Sequence, residues 1–493
     1  MIDRESDGRV VQGMFLGIDI GTSGVKAVLI DTAGTVRDQA SAPLTVSRPQ
    51  PLWSEQSPDD WWAATEAAVL GLSAPLRAKA QAIGLAGQMH GATMLGADDR
   101  PLRPAILWND GRSFQECEDL EAAEPDSRRI GGNLMMPGFT APKLQWVRRH
   151  EPRIFAEVRS VLLPKDYVRL VMTGEKATDM SDAAGTLWLD VARRDWSDAL
   201  LSATGLSREH MPNLFEGSEV TGQLRPEIAS RWGMDSVPVA AGASDNAGGA
   251  AGIGMISDGD ALLSLGTSGV IFVATQQFRP NPGQAVHAFC HCLPDMWHQM
   301  SVHLSAASCV DWAARLMGLA APADLFSLAE RAGAANGPEL FLPYLSGERT
   351  PHNDPHVRGA FLRADNGTDQ SRLAAAVLEG VAFAHADGLA ALREAGTHVS
   401  SLSVIGGGAR SRYWGSILAA ALDVRLEYLD GGEVGPALGA AKLAMMAATG
   451  ASAAQACVRP AVIDAIAPDP LLAERLAPKL EKFRRAYAAV REL

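Results

Sequence analysis

The pentapeptide Gly-Thr-Ser-Gly-Val occurs twice in this chain, as Gly21–Val25 and again as Gly266–Val270. Each copy follows an apolar run, Phe15–Ile20 in the first case and Ala261–Leu265 in the second. An apolar, partly β-branched run closed by glycines and hydroxyl residues predicts a strand, a tight turn and a returning strand. The same hairpin in both halves suggests a duplicated fold. Its chemistry suits phosphate. The glycines let the backbone N–H of Gly21 and Gly266 approach phosphate oxygens, and Thr22, Ser23 and Thr267 add hydroxyl donors. The copies differ at one place. Asp19 precedes the first turn, where an acid can hold Mg²⁺ directly or through water; Ser264 stands at the matching place in the second. Either hairpin alone also reads as an ordinary turn.

A chain of 493 residues has length for two domains, each with its own core. With 47% hydrophobic and 20% charged residues, it has the composition of a soluble globular protein. A net charge of -13 argues against a nucleic-acid partner. Five cysteines are too few for a disulfide scaffold and fit a reducing cytoplasm. No apolar run is long enough to predict a membrane span. Residues 1–13 are polar and charged, a loose lead and not a signal peptide.

Ser57-Pro58 predicts a helix start, with Trp61, Trp62, Ala68 and Val69 turned inward. A short strand at Ala82–Leu85 leads into Gln88-Met89-His90-Gly91, and loops at strand ends carry chemistry. His90 fits a sugar hydroxyl or a structural role. Trp108 fits a stacking platform or a core residue, and Asp110 a hydroxyl acceptor or an Asx turn. Asp245-Asn246 stands between an apolar strand and a Gly/Ala-rich helix start, where a carboxylate is held ionised and small neighbours leave room for a substrate hydroxyl. An Asx cap is the alternative. The stretch from His287 to His303 is rich in Cys and His, but its spacing matches no zinc pattern and its alternation predicts strands. Gly406-Gly407-Gly408 follows the strand Leu402–Ile405 and offers bare backbone to a flat ligand. A small-residue helix from Gly435 is expected beneath that loop, and an amphipathic helix is expected from about Pro470 to Leu493.

Taken in order, Gln88–Ala92, Leu107–Arg112, Ala141–Trp146, Leu163–Leu170 and Asp179–Thr186 resemble the FGGY carbohydrate kinases, from about Met14 to about Gly450. The resemblance implies an α/β fold of two actin-like (ribonuclease H-like) ATPase domains with a catalytic cleft between them. The divisions would be 14–253, 254–450 and a helical extension at 451–493. It implies ATP and Mg²⁺, and phosphorylation of D-xylulose, a small ketose, at its terminal hydroxyl. Asp245 would accept the hydroxyl proton, with Met89, His90 and Asn246 on the sugar. Asp19 would serve the metal, Gly21, Thr22, Ser23, Gly266 and Thr267 the phosphates, and Gly407 and Gly408 the adenosine. No Gly-x-x-x-x-Gly-Lys-Ser/Thr is present, so the nucleotide is not expected in a P-loop. An unperturbed Asp245 would already be ionised at pH 7. A homodimer fits the family. The rivals are a kinase for another ketose, a polyol or an aldonate, a non-metabolic actin-like ATPase, and a silent sugar sensor.

Overall fold

A computed structural model describes residues 13–430 and 435–492, so all of the polar lead except Gly13 lies outside the described residues. The chain forms two compact units. The first comprises the described residues of Met1–Ile256, Phe289–Trp297 and Val434–Arg459; the second comprises those of Ser257–Ala288, His298–Glu433 and Pro460–Leu493.

The first unit is built on a seven-stranded sheet. Along it lie Val220–Gln223, Pro238–Ala240, Ala80–Gly87, Met14–Ile20, Gly24–Ile30 and Val36–Pro43, with the short strand Ala243–Ser244 also on Ala80–Gly87. Met14–Ile20 runs antiparallel to Gly24–Ile30 and parallel to Ala80–Gly87. Side chains alternate across a strand, so Leu16, Ile18 and Ile20 share one face with Ile83 and Leu85 of the neighbour. That face meets Trp61, Ala68 and Val69 of the helix Pro58–Leu70, whose first residue is the expected proline. Trp62 stays half-exposed and stacks at 5.8 Å on Trp232.

The opposite face, carrying Gly17, Gly84 and Asp19, takes the helix Pro436–Thr449. A Cβ on Gly17 would fall on the Ala437 carbonyl, and one on Gly84 on that of Ala440. The same helix meets Asp245–Gly252 where Gly439 approaches the Gly248 carbonyl. Small residues thus let backbone touch backbone on three elements. The helix expected beneath the triple glycine is therefore part of the first unit, and that placement is corrected. The compact units also differ from the expected domain limits, the first taking in residues 254–256, 289–297 and 435–459.

A second seven-stranded sheet is ordered His287–Cys290, Trp297–His303, Gly269–Thr275, Ala261–Leu265, Ser401–Ile405, Arg425–Leu429 and Val462–Ile466. The Cys/His-rich stretch forms the first two of these strands. No group of three or more metal-ligating side chains occurs among the described residues. The two identical hairpins close differently. Ile20 pairs with Val25, whereas Leu265 pairs with Gly269, one residue tighter. Their surroundings differ too: Gly24 lies against Ala42, and Gly269 against the ring of His385.

His385 belongs to Gln370–Glu394, which alone among the described helices is long and apolar enough to cross a membrane; 89% of its apolar window is buried in the protein core. The terminal helix Pro470–Val490 sends Leu476 and Phe483 into the same core.

Candidate active site

The strand registers of the first unit gather four of the expected residues. Asp19 pairs with Ala86, and Ser244 pairs with Gly87. Asp19, the loop Gln88-Met89-His90 and Asp245 therefore leave the same carboxyl end of a parallel arrangement, the place where such sheets bind ligands. Ser244 caps the helix Asp245–Gly252 by accepting from Ala247 N, and Asp245 is its first residue.

Asp245 accepts from Asn246 N at 2.6 Å and Asn246 Nδ2 at 2.8 Å, both on Oδ1. Burial pushes its carboxyl up to about 6, against the pull of those two bonds. The unperturbed aspartate expected from sequence is corrected accordingly. Asp19 is pushed up to about 7, first by burial and then by the charge of Asp245, with Lys26 opposing. Its Oδ1 is buried without a hydrogen-bond partner. A carboxylate oxygen left so is suited to a cation, whose charge would also restore the ionised form. A hard cation such as Mg²⁺ fits this carboxylate.

Met89 is buried, with its Sδ 4.0 Å from Asn246 Nδ2. His90 adopts a left-handed φ of 68°. Its Nδ1 lies 2.7 Å from the Gly185 carbonyl and must donate to it, so in the neutral ring Nε2 is the acceptor nitrogen. The ring stands edge-on to Phe139 at 4.6 Å. The His90 carbonyl takes 2.8 Å and 3.2 Å bonds from Lys143 Nζ and Thr140 Oγ1. Burial holds the Lys143 ammonium well below its ordinary range. Gly185 packs tightly on this loop: a Cβ there would lie 2.6 Å from both the His90 ring and the Met89 methyl, and both would have to shift.

In the first hairpin, Ser23 is exposed, while Thr22 is half-buried and already engaged. Its hydroxyl donates to Gln88 Oε1 at 2.8 Å and accepts from Trp108 Nε1 at 2.9 Å; its carbonyl accepts from Gln56 Nε2. The Thr22 hydroxyl proton, expected to be free for a phosphate, is therefore already given to Gln88. Trp108 is neither core nor free, being 48% exposed and tied to the hairpin. Asp110 is structural. Ser54 N and the Arg112 guanidinium and backbone use both of its oxygens.

In the second unit Thr267 is exposed, and its carbonyl accepts from Ala306 N at 2.9 Å and Ser308 Oγ at 2.7 Å. Gly266 is half-exposed, and its carbonyl accepts from Ala307 N. Gly407 is exposed and open. Gly408 is buried, and a Cβ there would meet Leu265 and Trp414 at 2.8 Å. Gln88 and Gln56 were missed by sequence reasoning. The one signal for Gln88 was its place next to Met89-His90.

Two family models match the chain. The N-terminal domain of the FGGY family of carbohydrate kinases covers residues 14–252, and the C-terminal domain covers 261–448. A xylulose kinase of Escherichia coli K12 is 55% identical over 476 residues, spanning 96% of this chain and 98% of that one. A crystal structure described as a "xyloylose kinase" from Brucella ovis superposes with a TM-score of 0.94 at 50% identity, covering 97% and 99% of the two chains. Plasmodium falciparum glycerol kinase with ADP shares the fold, with a TM-score of 0.88 at 17% identity over 97% and 98%.

Proposed function

The chain belongs to the FGGY family of carbohydrate kinases, and from that premise we propose that it transfers the γ-phosphoryl group of ATP to the terminal hydroxyl of D-xylulose, giving ADP and D-xylulose 5-phosphate. The observation that carries the reading is the pair Asp19 and Asp245 at the carboxyl end of one sheet, beside the Met89-His90 loop, in a chain 55% identical to a xylulose kinase.

Phosphoryl transfer passes through a loose, highly charged transition state, so positioning and electrostatics dominate. Asp245 takes the hydroxyl proton. Asn246 occupies its Oδ1, which turns Oδ2 to that task. A base near pH 6 stays mostly ionised at neutral pH and holds a proton better than an ordinary aspartate. Asp19 would hold Mg²⁺, which would supply charge neutralisation for the phosphates. Backbone N–H groups of Gly21, Thr22 and Gly266, with Ser23 and Thr267, take phosphate oxygens, and Gly407 faces adenosine. Met89, His90 and Asn246 take the sugar. Five unpaired, buried cysteines accord with a cytoplasmic location.

A coupled ADP-release assay with Mg-ATP tests the substrate. D-xylulose should far outrun L-xylulose, D-ribulose, L-ribulose, glycerol and gluconate, with little turnover when sugar is omitted. Preference for another sugar removes the substrate but keeps the kinase, and sugar-independent turnover removes both. His90→Ala should raise the KM for D-xylulose about 10- to 100-fold, the loss of a half-buried hydrogen-bonding group, and leave the KM for ATP within about twofold. Equal rises in both would make His90 structural.

A further inference from the structure

Six wholly buried residues of the first unit form one polar cluster: Lys165, Asp166, Arg169, Asp179, Ser181 and Asp182. Lys165 Nζ lies 2.6 Å from Asp166 Oδ1, 2.9 Å from Asp179 Oδ1 and 3.2 Å from Asp182 Oδ2, and Arg169 Nη2 lies 3.8 Å from Asp166. Burying such charges is costly, and apolar replacements of buried ion pairs are often neutral or stabilising, so stability alone does not account for the cluster.

Its remaining hydrogen bonds converge on one segment. Arg169 donates to the carbonyl of Ala240 at 2.7 Å and also to that of Ala241. Arg169 donates to Thr221 Oγ1, which donates to the Val239 carbonyl at 3.0 Å. At the other end, Ser181 Oγ donates to Asp179 and accepts from Ser244 N at 2.9 Å. Between them Gly242 turns at φ 82°, in a place where a Cβ would meet the Leu85 carbonyl. Residues 239–244 are thus gripped at both ends, and the next residue is Asp245.

We propose that this buried cluster is the positioning frame of the base, with Ser181 and Arg169 as positioning residues that set where the Asp245 carboxylate stands. The proposal rests on the reading of Asp245 as proton acceptor. Burial raises the Asp182 carboxyl well above the ordinary carboxyl range, with Lys165 opposing and the neighbouring Asp166 and Asp179 adding to the rise. The groups facing Asp245 itself are Asn246 and, across the site, Asp19.

The test compares Ser181→Ala, the near-isosteric Thr221→Val and Asp245→Asn in steady-state kinetics over pH 5–9, beside thermal melts. Displacing a reacting group by about an ångström costs on the order of 100-fold. Ser181→Ala should therefore lower kcat about 10- to 100-fold with the sugar KM within about twofold. Thr221→Val should do the same more weakly. A loosened Asp245 sees more water, so the acid limb of kcat/KM should move to lower pH in both. If kcat and the acid limb are unchanged in both variants while Asp245→Asn is inactive, the cluster is structural only and the proposal fails. If Asp245→Asn keeps its turnover, the assignment of the base fails first and takes the frame with it.

Discussion

Asp245→Asn should lower kcat by about 10²- to 10⁴-fold, the usual contribution of a positioned base, and at the same time make the protein more stable at pH 8. The two effects have one cause. Burial lifts the Asp245 carboxyl from 3.8 to about 6. Between those values the folded chain keeps a proton that the unfolded chain has released. Stability therefore falls as pH rises through that window, and the cost is complete above pH 6. One pKa unit corresponds to about 1.4 kcal/mol, so removing the charge should return on the order of 1–3 kcal/mol at pH 8 and little at pH 4. Asn246 N keeps an oxygen acceptor in the variant, and the charge of Asp245 no longer opposes ionisation of Asp19. Urea unfolding without Mg²⁺ at pH 4 and pH 8, with turnover measured at pH 8, checks both halves. Turnover above a tenth of wild type, or no stability gain at pH 8, would sink the account.

Lys165→Met should be the most destabilising single change in the first unit. Lys165 gives one ammonium to three carboxylates that no water reaches. Methionine fills much of the volume but leaves those acids with Arg169, whose nearest approach is 3.8 Å. Breaking a buried pair in this way costs about 3–5 kcal/mol. The loss should shrink toward pH 4, because stranded carboxylates can protonate there, and should grow as pH rises. A urea midpoint for Lys165→Met equal to wild type at pH 8 would show that the ammonium is dispensable.

Both hairpins and both acids could be read from sequence because each is local: a turn composition, an acid beside it, an Asp-Asn pair before a small-residue helix. The things that could not be read depend on partners far along the chain. Thr22 looks like a free hydroxyl until Gln88 and Trp108 arrive from 66 and 86 positions away. Gly408 looks like bare backbone until Trp414 and Leu265 close on it. The Lys165 cluster reads as scattered charge, since Ser181 meets Ser244 only after 63 residues have been laid into the sheet. Identical pentapeptides even pair in different registers, with Ala42 beside one and His385 beside the other.

The helix Pro436–Thr449 is made late but belongs to the sheet made first. On the ribosome, Gly17 and Gly84 therefore leave the exit tunnel long before the small residues that cover them. The amino-terminal sheet must wait with one face bare, through translation of the whole second unit. A message cut short anywhere before residue 436 would yield a sheet without its cover, a product for proteases and not half an enzyme. Anyone dividing this gene to express its halves separately should expect the first half to fail unless Val434–Arg459 is grafted back onto it.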